Sequence, residues 1–299
     1  MLTELSDALK LYLTSQSEQF GVFDTPIPGM VIGHANAQKL PDYAIYRPTL
    51  GVVVQGAKQV WLGNQVLDYR QGQALLVSVS LLAKGLITQA SAEKPFLGVT
   101  IGLDTAMLRE VGASLAVPPE PAGAGLSVHA LGPEVLDCLV RLARLLNSPD
   151  ALPVLYPGML RELSYWLLKG DTGAELWALT KPEGVSDRIE SALALLRTDF
   201  AAPIRVEDLA ATAGMSLTSF HRHFKVLTRL TPIQYLKQLR LVEARKILDA
   251  GTDNVTGAAF AVGYESAAQF SRDYSRFYGL PPKRDTLARR LGISSLTAA

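Results

Sequence analysis

Apolar positions change their spacing twice along this chain. Between Ala44 and Gly102 they form short runs broken by glycine: Gly51-Val-Val-Val-Gln55, Gln59-Val-Trp-Leu62, Gln65-Val-Leu-Asp-Tyr69, Ala74-Leu-Leu-Val-Ser-Val79 and Phe96-Leu-Gly-Val-Thr-Ile101. Runs this short, bounded by Gly56, Gly63-Asn64, Gly72 and Pro95, predict closely spaced strands, with Gly63-Asn64 as a two-residue hairpin turn. A barrel or sandwich is therefore expected over residues 20–112. From Pro133 the period lengthens. Leu136, Leu139, Val140, Ala143 and Leu146 recur every three or four residues, which predicts an amphipathic helix over Val135–Leu146, and Leu155–Leu168 predicts a second. Strands followed by a helical hairpin suggest a sensing and dimerisation unit over residues 1–182, with Val135–Leu146 pairing two copies.

The last third contains an internal repeat. Ala210-Ala-Thr-Ala-Gly214 aligns with Ala259-Phe-Ala-Val-Gly263. One residue is then inserted, and Phe220, Arg222, Phe224, Leu230 and Pro232 align with Phe270, Arg272, Tyr274, Leu280 and Pro282. Each copy reads as a helix, a turn at a glycine able to take positive φ, and a second helix starting near Leu217 or Ala267. That is a helix-turn-helix, twice. Between the copies, Thr231-Pro-Ile-Gln234 is an N-cap, a first-turn proline and a capping-box glutamine, and Gly251 closes the helix that follows. Its roughly 18 residues, at about 1.5 Å each, make a rod of about 27 Å. Successive major-groove windows on one face of B-DNA lie about 34 Å apart, so two joined reading heads fit one duplex. The chain is expected to be α+β: a β-barrel with flanking helices, then an all-α domain over residues 183–299.

Charge sharpens this picture. The 299 residues hold 29 Lys+Arg against 28 Asp+Glu, which excludes a histone-like polycation. From Glu183 onward, however, there are 16 basic against 12 acidic residues, and before it 13 against 16. A basic double helix-turn-helix points to nucleic acid. The stretch Thr180–Ser186, with Pro182 and Gly184, reads as the linker at that boundary. Cys138 is the sole cysteine, so no internal disulfide exists and a reducing compartment is expected. Met1–Phe20 carries Glu4, Asp7, Lys10 and Glu18 rather than a secretory leader, and no apolar run approaches the roughly 20 residues of a membrane span. A cytoplasmic, nucleoid-associated protein without membrane contact follows.

Residues Val185–Asp285 resemble the DNA-binding domain of the AraC/XylS family, most specifically through Gly263-Tyr-Glu-Ser-Ala-Ala-Gln-Phe-Ser-Arg-Asp-Tyr-Ser-Arg-Phe-Tyr-Gly-Leu-Pro-Pro282. Tyr46-Arg-Pro-Thr-Leu-Gly-Val-Val-Val-Gln-Gly-Ala-Lys58 is similar to the cupin-like N-terminal domain of one AraC subgroup. The resemblance implies a transcriptional regulator, usually an activator, with promoter DNA, RNA polymerase and a small organic effector as partners. It places base readers at Thr218, His221 and Arg222. Lys225, one turn on, reads as a phosphate contact or as simply exposed. Arginine pairs guanine O6 and N7 together, and a threonine methyl meets a thymine methyl. Leu217, Phe220, Phe224 and Leu227 form the opposite, core face. In the second copy the reading face carries Ala267, Ala268, Gln269, Ser271 and Arg272; its alanines imply fewer base contacts. Ser266-Ala-Ala-Gln269 is also a capping box that would turn Gln269 back to the backbone. Lys237, Arg240 and Lys283 add to the positive footprint, and Arg205 departs from the pattern where a Ser-type helix cap is common.

Catalytic and metal chemistry finds little material. A metal-binding cupin needs a close pair of histidines with a glutamate and a further histidine, whereas His34 and His129 stand apart from each other and from His221 and His223. No metal or cofactor is expected, and Cys138 reads as packing. A cupin enzyme fused to a DNA-binding tail, and a barrel serving only as a dimer scaffold, are the alternatives to a sensor. A metal-free barrel mouth suits a small organic molecule. Its candidate liners are His34, Tyr46, Gln55, Trp61, Ser78 and Ser80.

Overall fold

The computed structural model describes residues 1–116, 125–181 and 183–290. They divide into two compact units, Met1–Asp187 and Arg188–Ala299. The first opens with α1 (Leu2–Leu13) and continues with β1 (Gly21–Asp24), β2 (Met30–Ala35), β3 (Lys39–Tyr46), β4 (Thr49–Gln55), β5 (Ala57–Leu62), β6 (Gln65–Arg70), β7 (Gln73–Val77), β8 (Leu81–Gln89) and β9 (Phe96–Gly102). Then come α2 (Thr105–Gly112), β10 (Leu126–Ala130), α3 (Pro133–Leu145), α4 (Leu152–Lys169) and α5 (Gly173–Thr180). The strands form two antiparallel sheets, ordered β1-β2-β9-β4-β7-β10 and β3-β8-β5-β6. Gly63 takes φ 58° in the β5–β6 turn, where Leu62 pairs with Gln65.

Alternation assigns the faces. On the large sheet Leu50, Val52, Ala74, Leu76, Leu97 and Val99 join the helices in one core, through Leu5 and Leu9 of α1, Leu139 and Ala143 of α3, and Leu163 and Leu167 of α4. Each such leucine taken fully from water contributes about 1.5–3 kcal/mol. α3 lies with Val135, Cys138, Leu139, Val140, Leu142, Ala143 and Leu145 all buried. Its apolar face thus packs into the unit's own core. Burial also pushes the Cys138 thiol up to about 11, so at neutral pH it is a packed, protonated group.

The second unit comprises α7 (Val206–Thr212), α8 (Leu217–Thr228), α9 (Pro232–Ala250), α10 (Val255–Ala261), α11 (Ala267–Tyr278) and α12 (Pro282–Arg290), preceded by α6 (Val185–Asp199). α6 begins inside the stretch expected to be a linker; only residues 181–184 separate it from α5, and Pro182 lies outside the described residues. Ile189, Ala192, Leu193 and Leu196 of α6 are wholly buried at helical spacing. The two helix-turn-helix pairs share α9 as a common wall. Tyr235 of α9 meets Phe224 of α8 edge-on, ring centroids 5.7 Å apart. Leu241, Ala244 and Leu248, further along α9, pack with Phe270 and Tyr274 of α11. Gly214 and Gly263 take φ 59° and 83° in the two turns, and a Cβ on Gly263 would collide with the Ala201 backbone. The capping box of α9 is complete, with Thr231 Oγ1 accepting from Gln234 N and Thr231 N donating to Gln234 Oε1. Arg205 provides no side-chain cap for α7, whereas Asn254 caps the matching α10.

Candidate nucleic-acid interface and effector site

α8 buries Phe220, Phe224 and Leu227, which turns Thr218, His221, Arg222 and Lys225 outward as an exposed row. Leu217, expected in the core, is 41% exposed. It is the first helical residue, and a helical side chain leans toward the N-terminus, here past the end of the packing. Arg222, Lys225, Val226 and Arg229 line a surface cleft of about 320 Å³. Arg229 is an addition to the residues expected from sequence, yet the repeat holds the signal: it stands where the second copy has Gly279. Both residues close their helices in the left-handed conformation, Arg229 at φ 60° and Gly279 at φ 81°. Arg222 Nη2 lies 3.1 Å from His223 Nε2. Burial first, and then the Arg222 charge, lower the His223 pKa, so the ring is held neutral and accepts from the guanidinium.

α11 presents Ala268, Gln269 and Arg272 outward, with Ser271 half-buried beside them. Ser266 Oγ accepts from Gln269 N at 3.3 Å, but among the described residues Gln269 makes no reciprocal bond of the kind Gln234 makes. Its amide is therefore open to the solvent face. Arg276, one turn beyond Arg272, extends the positive row and is a second addition. Two residues expected in the footprint are engaged elsewhere. Arg240 donates to the carbonyls of Phe200, Ala202 and Gly263, stapling the second turn from behind. Lys237 sits 2.7 Å from Asp273, whose side chain is 9% exposed. Lys283 remains exposed at the start of α12.

The expected effector residues do not converge. His34 is on the helix-facing side of the large sheet, 4.9 Å from the Phe20 ring, with Nδ1 2.8 Å from the Gln19 carbonyl. Gln55 donates to Pro95 O at 2.6 Å and fixes the start of β9. Trp61 points away from Val60 and Leu62, under the Lys84 ammonium on the outer face of the small sheet. Ser78 and Ser80 are buried in the β7–β8 connection. Tyr46 alone belongs to the inner face of the small sheet, which the register gives it in common with Asp42, Lys58, Val60 and Tyr69. Burial and then the Asp42 charge push the Tyr46 phenol up to about 12, and Tyr69 is raised well above its ordinary value by burial and by Tyr46. Lys58 Nζ stands 5.9 Å from the Phe96 ring centroid. A side chain on Gly85 would strike Tyr46 Oη, so that glycine makes room for the phenol.

Residues 26–175 match the family model of the AraC-type transcriptional regulator N-terminus. The chain belongs to the AraC-type transcriptional regulators. Residues 209–286 of this regulator match a helix-turn-helix domain model. RhaS of Escherichia fergusonii, a transcriptional activator, is 37% identical over 101 residues, 34% of this chain and 36% of that one. GbdR of Pseudomonas aeruginosa, a transcriptional regulator, is 27% identical over 105 residues, 35% and 29% of the two chains. The regulator thus spans about a third of the length of these curated relatives. ToxT of Vibrio cholerae, crystallised with an unsaturated fatty acid, superposes with a TM-score of 0.58 at 10% identity, over 93% of this chain and 99% of that one. An apo point variant of ToxT gives 0.56 at 11% identity, over 88% and 99%. At such identity the likeness is one of fold. The family is one of regulators rather than enzymes, and among the described residues no helix is long and apolar enough to cross a membrane.

Proposed function

We propose that this regulator reads promoter DNA with α8 and α11, activates transcription in contact with RNA polymerase in the cytoplasm, and responds to a small organic effector inside its N-terminal barrel. One observation carries the DNA reading: two outward faces, the polar Thr218/His221/Arg222/Lys225 and the sparser Ala268/Gln269/Arg272 with Ser271 half-buried beside it, joined within one unit by the 19-residue α9. The first face has the hydrogen-bonding groups for base edges, and the second has fewer, so specificity is concentrated in α8. Supporting an effector is the polar set that the register gathers on the inner face of the small sheet, Asp42, Tyr46, Lys58 and Tyr69. Selection of bound sequences from random DNA by the full chain is the test. An asymmetric site of about two helical turns, more strongly constrained in one half, is expected; absence of enrichment overturns the DNA reading.

A further inference from the structure

A cleft of about 330 Å³ opens on the helix-facing side of the large sheet, away from the barrel's inner face. That is the small end of the roughly 300–1,000 Å³ range of ligand pockets. Leu50 and Ala74 form its floor, and Val135 of α3 with Trp166 and Leu167 of α4 form its walls. Into this apolar bowl β10 delivers His129, which pairs with Ala74 and so shares the helix-facing side. His129 Nε2 is 2.8 Å from Ser127 Oγ and 3.6 Å from Glu175 Oε1. Among the described residues its Nδ1 has no partner. Glu175 Oε2 is buried and also lacks a hydrogen-bond partner.

The chemistry of that pair selects a ligand. An ionised carboxylate only accepts, so Glu175 favours the tautomer with the proton on Nε2. Nδ1 is then an unpartnered lone pair on a ring that lines the cleft, an acceptor that wants a donor. The rim carries Glu134 and Asp171 against a single Lys169. Trp166 also lines the cleft, and an indole ring attracts a cation over its face. We propose that this cleft binds a small protonated amine with an apolar body, its N–H donating to His129 Nδ1 and its carbon skeleton lying against Trp166 and Leu50. The site lies apart from the inner face of the small sheet and does not depend on an effector there.

The test titrates the full chain with 4-phenylbutylamine and, in parallel, with 4-phenylbutyrate, at about pH 8, where the amine is charged. Thermal shift and calorimetry should show saturable binding of the amine and none of the acid. His129→Phe should weaken the amine about tenfold, the scale of one lost hydrogen bond. Glu134→Gln, a change at an exposed rim position, should weaken it severalfold and decides the matter if His129→Phe does not fold. No saturable binding, equal binding of the acid, or indifference to Glu134→Gln overturns the proposal. So does a loss in Tyr46→Phe with none in Glu134→Gln, which would put the amine in the barrel.

Discussion

Arg222 and Arg229 face the same cleft, and we propose different work for them. Arg222 sits mid-row on α8 with its guanidinium steadied by His223, the arrangement that suits two parallel bonds to one base. Arg222→Ala is expected to cost about 1–3 kcal/mol at the cognate site and relax discrimination at one position, read by competition binding. Equal losses on cognate and random DNA would make it a phosphate contact. Arg229 keeps a left-handed backbone that its counterpart position fills with glycine. Arg229→Gly should therefore stabilise the fold by about 1 kcal/mol in urea unfolding. It should also weaken all DNA alike and reduce the salt dependence by about one ion. His223 adds a pH dependence. Its folded pKa lies below the unfolded value, so the unfolded chain binds the proton more tightly and stability falls as pH drops below about 6.5. His223→Gln should remove that part of the decline in urea midpoints measured from about pH 7.5 downward.

At the scale of elements, the second reading helix is held by a buried ionic knot rather than by caps alone. Asp285 of α12 takes both oxygens to Arg245 of α9 at 2.8 Å and accepts from Tyr274 Oη of α11 at 2.7 Å. The Arg245 and Asp285 side chains are 12% and 5% exposed. Asp285→Ala would take a bidentate carboxylate away from a buried guanidinium, a loss of about 3–5 kcal/mol in thermal or urea unfolding. A loss below about 1 kcal/mol would mean the knot is wet and dispensable. The elements themselves are largely legible in the sequence. Thr231-Pro-Ile-Gln234 and Gly251 mark both ends of α9, because a cap and a left-handed terminator are local chemistry. α1, α2, α5 and α6 are absent from the sequence expectations, and in α1 and α6 this is so although Leu5, Leu9 and Leu13, and Ile189, Leu193 and Leu196, repeat at helical spacing. α1 and α6 share one reason. Both helices lie beside stronger signals, the strand block and the repeat, and carry no glycine or proline stop of comparable clarity.

For the molecule as a whole, two reading heads in one chain remove the need for dimer symmetry. A fragment of residues 183–299 is expected to occupy one asymmetric site of about two turns as a monomer, by gel shift and sedimentation. Requirement for a palindrome would defeat this. The chain's own order of residues determined the double helix-turn-helix and the identity of its outward row, because a repeat, helix caps and a 3.6-residue period all act within a few residues of each other. It determined the strand block too, through glycine punctuation. Which strand residues face one another was decided only by tertiary structure. Period two offers two faces, and in β5 both carry apolar groups: Val60 and Leu62 on one, Trp61 on the other. Only pairing with β6 and β8 sent Trp61 outward and gathered Asp42, Tyr46, Lys58 and Tyr69 inward. In the same way, Phe200 O for Arg240, Asp273 for Lys237 and Glu175 for His129 lie 40, 36 and 46 residues away in the chain. Long charged side chains go wherever a carbonyl or carboxylate is delivered to them, and delivery is a property of packing.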